Sequence, residues 1–394
     1  MRPRHPIRKH PRNDRDGARI RQILNAFPQE ISHASAKIIS KRRSAVFTTI
    51  PPGKERCAIQ RPIDNLVYTE EIAPRLPRKI IDCHVHVGLP EHCGPISPAR
   101  LKANWALEVG VAQSWEDLRR NYRTLFPDRE VSVLAFGGVF KETDVDANNS
   151  YILAGTREAA NNALGLLVTR PEWEPERIKE GMAAGFAGIK PYPDLAQCDQ
   201  EKAGIFDFLP KRHLKALDEL GGILMLHLPR ADRLANPDNV KELLNIADEY
   251  QRIKMIVAHI GRSFCLPTAR RGLPHFANST SIYFDTSANL NSDVFQYALE
   301  TIGPDRLLFG SDLPVTMMRG VREHVGDRYI NYTDAAYSWN VNRKSPEEEA
   351  NYTYFLYEEL RAIIRAVDAS GLGADAVDKI MFWNSAKILG EGER

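Results

Sequence analysis

Cysteine is scarce and unpatterned in this chain of 394 residues. The five cysteines, at positions 57, 83, 93, 198 and 265, are odd in number and show no Cys-x-x-Cys spacing. That excludes a disulfide framework and predicts free thiols in a reducing, cytoplasmic setting. Long hydrophobic runs are missing as well. No stretch approaches the ~18 consecutive apolar residues of a membrane span, and the first thirty residues hold no signal-peptide apolar core, so neither membrane insertion nor secretion is expected. The first strand-like run is not followed by Gly-x-Gly-x-x-Gly, so nothing supports dinucleotide binding. Excess charge of one sign is also absent. With a net charge of only +2, the chain as a whole calls for neither a nucleic acid nor an anionic surface as partner.

That balance conceals an asymmetry. Residues 1–43 carry twelve Lys or Arg against three acids, Asp14, Asp16 and Glu30, which leaves the remainder net acidic. Residues 1–60, rich in Arg and Pro, with one amphipathic stretch near 18–27, are expected to form a basic, solvated extension. A nucleic-acid contact or an organelle-targeting role is the competing reading, and the three acids weaken the second. Residues 61–394, in a chain 43% hydrophobic and 26% charged, are expected to form one globular domain.

What the sequence does contain begins at Lys79-Ile80-Ile81-Asp82-Cys83-His84-Val85-His86-Val87. Strand side chains alternate faces, so His84 and His86 project together at the end of a β-branched run while Cys83 points away into the packing. Two imidazoles at the end of a buried strand need partners or a metal. Further apolar runs at 131–136, 164–168, 186–190, 222–227, 254–259, 281–285 and 306–310 make eight strands. Helical patterns lie between them at 114–122, 156–162, 175–184, 210–220, 239–250 and 292–301, and closing helices at 358–369 and 373–389. Eight strands with intervening helices predict an α/β fold, a (β/α)8 TIM-type barrel. Two long connections, 87–130 after the first strand and 313–351 after the last, fall on the face where barrel enzymes place their chemistry; either could cap a substrate or form a subunit contact, and a homo-oligomer is compatible with both.

Metal-type residues recur at the strand ends: His227 after the fifth, His259 after the sixth, Asp312 after the eighth. In a barrel these ends converge on one mouth, and three or four N/O ligands with an open position are what a catalytic ion needs. Asp82-x-His84-x-His86, His227, Ala258-His259-x-Gly261-Arg262, Gly310-Ser311-Asp312 and Asn384-Ser385-Ala386 together resemble the amidohydrolase superfamily. The branch they resemble is the amidohydrolase-related one, which holds both hydrolases and carbon–carbon lyases such as aminocarboxymuconate-semialdehyde decarboxylase. The resemblance covers roughly residues 70–390. It implies that His84, His86, His227 and Asp312 bind a divalent ion, zinc with manganese as the alternative, and one ion in preference to two. It also implies catalytic roles for Asp312, as a proton carrier, and His259, beside the metal.

On this reading the expected reaction is hydrolysis of an amide, ester or lactone bond in a small carboxylated substrate through a metal-activated water. Non-oxidative decarboxylation is the alternative, and a non-catalytic binding barrel the further one. Lys190, at the end of the fourth strand, is read as a cation for a substrate carboxylate, with a bridging carbamate or a structural lysine as its rivals. Arg230 and Arg262, each three residues after a site histidine, are read as substrate-binding guanidinium groups, Arg262 in preference, with a loop-ordering salt bridge as the rival for each. Tyr192, Arg319 and His324 are weaker candidates.

Overall fold

Eight parallel strands, hydrogen-bonded in chain order from β1 to β8, form the sheet of the computed structural model, which describes residues 60–109, 112–196 and 198–390. The basic arm, its expected helix and Cys57 lie outside these residues. The strands are β1 Lys79–His86, β2 Glu130–Phe136, β3 Ala163–Thr169, β4 Gly188–Pro191, β5 Ile223–Leu226, β6 Lys254–Val257, β7 Ile282–Asp285 and β8 Leu307–Leu308. The β1 edge meets the chain beyond β8: the amides of Cys83 and His86 donate to the carbonyls of Phe309 and Leu313, and Asp312 N–H donates to His84 C=O. With no edge left unpaired, this is a closed (β/α)8 barrel.

The helices between strands are α1 Trp115–Leu125, α2 Val145–Thr156, α3 Pro175–Ala184, α4 Lys211–Leu220, α5 Pro237–Glu249, α6 Leu266–Gly272, α7 Ser292–Ile302 and, after β8, α8 Phe355–Ala369. Their start signals are local. Ser114 Oγ accepts from Asp117 N–H and Ser114 N–H donates back to Asp117 Oδ2, a capping box, and Pro237 follows the Asn236 cap of α5. The strands read as continuous apolar runs because both faces are covered: Ile80, Ile81, Ile189, Leu224, Ile256 and Phe284 are all buried. Each such side chain contributes about 1.5–3 kcal/mol of transfer free energy.

One sequence expectation shifts. The helix expected at 156–162 lies instead at Val145–Thr156, with only a 3-10 turn at Ala159–Asn161. Its pattern is masked by Asn148 and Asn149, which turn inward to bind the barrel backbone: Asn149 pairs with both N–H and C=O of Val168, and Asn148 with Gly138 N–H and Val87 C=O. Helix α6, seven residues with two arginines, is too short to show periodicity. The connection after β8 contains an antiparallel hairpin, β9 Gly320–Val325 with β10 Arg328–Thr333. Its root is tied to residue 64 by a fully buried ion pair, Arg319 to Asp64 at 2.5 Å, to which Thr353 adds a hydroxyl at 2.7 Å. Among the described residues, no helix is long and apolar enough to cross a membrane.

Candidate metal centre

The strand ends meet as the convergence argument requires. His84 Nε2 and His86 Nε2 lie 3.6 and 3.4 Å from the same oxygen, Asp312 Oδ1. The donor atoms of the three residues are all within 4.8 Å of one another. What surrounds them determines which nitrogen is free. His84 Nδ1 is 2.9 Å from Asp285 Oδ2, and His86 Nδ1 is 3.3 Å from the Gly137 carbonyl. Both partners only accept, so both Nδ1 atoms carry the hydrogen. Burial holds His84 down at about 3, leaving a neutral ring whose Nε2 lone pair faces a carboxylate. Two such lone pairs and a carboxylate oxygen, with no proton among them to share, are a donor set completed by a cation.

Asp285, the last residue of β7, is the residue sequence reading missed. It is fully buried and accepts from His84 Nδ1, His259 N–H at 2.8 Å, Ser287 N–H at 3.2 Å and the Ser287 hydroxyl. Burial opposes its ionisation, but the neighbouring His84 and His259 rings and the hydrogen bonds from His84 and Ser287 outweigh burial and hold it well below the usual carboxylate range. Its signal was present: it ends an apolar run, as His227 does. Asp82 plays the matching part on the other side, accepting from Ser311 N–H at 2.8 Å, His84 N–H at 3.2 Å and Tyr122 O–H at 2.8 Å. Burial still pushes it up to about 7. Through these bonds β1 and the β8 end are held in register, and helix α1 is pinned to them.

His259 and Asp312 sit at left-handed φ of 58° and 57°, and Ala288 at 54°. Non-glycine residues there cost on the order of 1–3 kcal/mol each and persist only where the surroundings fix them. His259 gives its Nδ1–H to the Ser287 carbonyl at 2.9 Å. Burial lowers its pKa, so it presents a neutral Nε2 acceptor beside His84, ring centroids 4.8 Å apart. His227 stands beyond it, 5.2 Å between ring centroids, with its Nε2 at 3.3 Å from Tyr192 Oη.

These groups line a cavity of about 990 Å³. His84, His86, His227, His259 and Asp312 stand in its wall, with Arg262, Tyr192 and Arg233 on the β4–β6 side. Both long connections contribute: Trp105 from the first, Val315 and Tyr329 from the second. They meet in a satellite core of Val109, Val315, Met318, Tyr337 and Phe355, with Trp105 packed on Trp339. Within one chain, then, they cap the mouth.

Two expected substrate contacts are not brought to the cavity. Arg230 is turned away into a bidentate pair with Glu242, 2.8 Å on each arm, plus Asn239 Oδ1 at 2.6 Å. Lys190 is fully buried behind the wall, its Nζ 4.6 Å from the Phe136 ring centroid and without a hydrogen-bond partner among the described residues. Of the weaker candidates, Tyr192 lines the cavity, whereas Arg319 is spent on Asp64 and His324 lies along β9.

The amidohydrolase family model matches residues 81–390. No curated protein matches the chain. Among solved structures, the apo form of ATU3138 from Agrobacterium tumefaciens is 16% identical with a TM-score of 0.51, covering 81% of this chain and 96% of that one. A manganese complex of 5-carboxyvanillate decarboxylase from Novosphingobium aromaticivorans (14%, TM-score 0.49, 79% and 96% covered) is also similar. So is a probable 2-pyrone-4,6-dicarboxylic acid hydrolase from Acinetobacter baumannii (15%, TM-score 0.48, 79% and 99% covered). At these identities the likeness is one of fold. With the family model spanning the barrel from β1 to the last helix, the chain belongs to the amidohydrolase family.

Proposed function

We propose that this chain is a metal-dependent hydrolase that cleaves an amide, ester or lactone bond of a small carboxylated substrate. The observation that carries the reading is the pair of Nε2 lone pairs, on His84 and His86, aimed at one oxygen of Asp312 on the cavity wall. His84, His86 and Asp312, with His227 beside them, would hold one divalent ion, zinc in preference to manganese. Such an ion supplies Lewis acidity and brings the pKa of water toward neutrality. His84, His259 and Asp285 form the other group of potential donors among the described residues. His84 Nδ1 gives its hydrogen to Asp285 and His259 Nδ1 gives its own to Ser287, which favours one ion over two.

The side chains then divide the work. Asp312 accepts a proton from the attacking water and passes it to the leaving group. Against burial, which would raise its pKa, the neighbouring imidazoles of His86, His259 and His84 hold it in the ionised form that a base requires. His259 offers a neutral acceptor at Nε2 to a substrate or water hydrogen. Arg262, anchored by its bond to the Leu228 carbonyl at 3.0 Å, grips a carboxylate of the substrate. The described cysteines are all free, in keeping with a reducing, cytoplasmic setting.

The test is metal content by elemental mass spectrometry on protein purified without chelator, wild type and His84→Ala, followed by turnover of lactones, esters, amides and aromatic carboxylates with carbon dioxide recorded in parallel. One equivalent of metal, lost in the variant, with hydrolysis and no gas, is expected. Carbon dioxide release would move the reaction to decarboxylation on the same site. Absence of metal after reconstitution would remove the enzyme reading and leave a binding barrel.

A further inference from the structure

Arg233 was not a sequence candidate, yet it lines the same cavity as Arg262. The two guanidinium groups are fixed by the loop that follows β5: Arg262 donates to the Leu228 carbonyl and Arg233 to the Arg230 carbonyl. Each uses one of its five N–H donors in this way. Among the described residues neither has a carboxylate within ion-pair distance, although Arg230, three residues before Arg233, has Glu242. The two cations also act on one another. Burial, and then the charge of Arg233, lowers Arg262 to about 10, and both act on Tyr192 and His227 across the wall. The acids that act on them are Glu201, which lines the cavity at its exposed rim and acts on both, and the adjacent Asp232, which acts on Arg233; neither forms an ion pair with them among the described residues. Two half-buried, uncompensated cations side by side are costly unless a ligand brings the counter-charge, and a monoanion would leave one of them unbalanced once the cavity is filled.

We infer that Arg233 and Arg262 form a subsite for a dianionic end group of the substrate, two carboxylates or one phosphate monoester, and that Glu201 opposes its entry. The inference rests on the hydrolase reading for the word substrate, but the subsite itself can be measured without turnover. It makes Arg233 a specificity-determining residue and narrows the substrate class from monocarboxylates to compounds of charge −2 at one end.

The experiment is calorimetric titration of the full chain at pH 8, zinc-loaded and chelator-treated, with benzoate, benzene-1,3-dicarboxylate and phenyl phosphate. A dianion should bind at least about tenfold more tightly than benzoate, the worth of one added charge-assisted contact. The advantage should vanish in Arg233→Gln and in Arg262→Gln. Glu201→Gln should enlarge it, a change of opposite sign that a merely structural arginine would not produce. Whether the dicarboxylate or the phosphate shows the effect identifies the group. Equal affinities for benzoate and both dianions, no measurable binding of any probe, or an advantage that survives in folded Arg233→Gln would overturn the subsite. Metal content of the same samples separates the two claims. Arg233-dependent binding by protein that takes up no metal would sink the hydrolase reading alone, and Arg233-independent binding by zinc-loaded protein would sink the subsite alone.

Discussion

Replacing Asp285 by Asn tests the tautomer argument on which the metal centre rests. The two side chains have nearly the same shape, so the packing at the end of β7 is kept and only the hydrogen-bond polarity changes. Asp285 Oδ1 accepts from His259 N–H and from Ser287, while Oδ2 accepts from His84 Nδ1 at 2.9 Å. An asparagine has one acceptor end. If that end stays with the two backbone amides, its NH2 faces His84 Nδ1–H, and the ring relieves the clash by moving its proton to Nε2, the atom 3.6 Å from Asp312. If the amide flips, its NH2 faces two N–H donors in a fully buried site, at a cost of about 1–3 kcal/mol for groups left unsatisfied. The first outcome blocks a ligand lone pair and the second loosens the turn that carries His259. Losing a partner that orients a metal-binding histidine lowers affinity about 10–100-fold, or about 1.4–2.8 kcal/mol. The assay is competition for zinc against a chromophoric chelator, with thermal unfolding of the metal-free protein as the control for folding. A folded Asp285→Asn protein whose zinc affinity stays within about twofold of wild type, well short of the loss expected, would refute both the tautomer assignment and the role given to Asp285.

Asp312→Asn should keep the fold and lose turnover by about 10²–10⁴-fold, the worth of a positioned proton carrier; undiminished hydrolysis in a folded variant would remove Asp312 from the mechanism. Lys190 has an ammonium pushed by burial down to about 8 from 10.5, so the folded chain releases this proton before the unfolded one does. Its burial therefore penalises stability in full below pH 8, and the penalty fades as pH rises to 10.5. In chelator-treated protein, Lys190→Met should be more stable than wild type at pH 7 by ~3 kcal/mol, with the gap closing across that window; a gap independent of pH in denaturant titrations would contradict this. Arg319→Met leaves the carboxylate of Asp64 buried without its ion pair and should cost about 3–5 kcal/mol in urea unfolding, with part recovered by adding Asp64→Leu. Arg230→Gln should lower stability by about 1 kcal/mol, the worth of a partly buried charge-assisted contact, and leave KM unchanged, because Glu242 and not substrate holds that guanidinium.

The barrel was legible because strands buried on both faces read as apolar runs, and its mouth because several runs end in imidazoles or a carboxylate. What could not be read was depth. A residue written at the end of a strand falls at a level set by the stagger of the barrel, which leaves no mark in local sequence. Lys190 precedes Pro191, the last residue of β4, and is buried behind the wall; Asp285 closes β7 and is buried as well. His227 lies one residue beyond β5, His259 two beyond β6 and Asp312 four beyond β8, and all three line the cavity. Apart from the two β1 histidines, therefore, residues still inside the ladder lie behind the wall and residues just past it face the cavity, a distinction that hangs on where the last paired residue falls.

The same limit explains the exchange of arginines after β5. Arg230, Asp232 and Arg233 all take left-handed φ, at 61°, 62° and 48°, and this turn sends Arg230 to Glu242 and Arg233 to the cavity. Spacing from His227 cannot distinguish the two, because it counts residues along a chain whose direction reverses between them. Only the acid waiting on α5, Glu242, marks which guanidinium is already satisfied. Pairing a strand-end arginine with the acids of the following helix is thus a physical test to apply before assigning it to substrate, and by that test Arg233, not Arg230, belongs with Arg262.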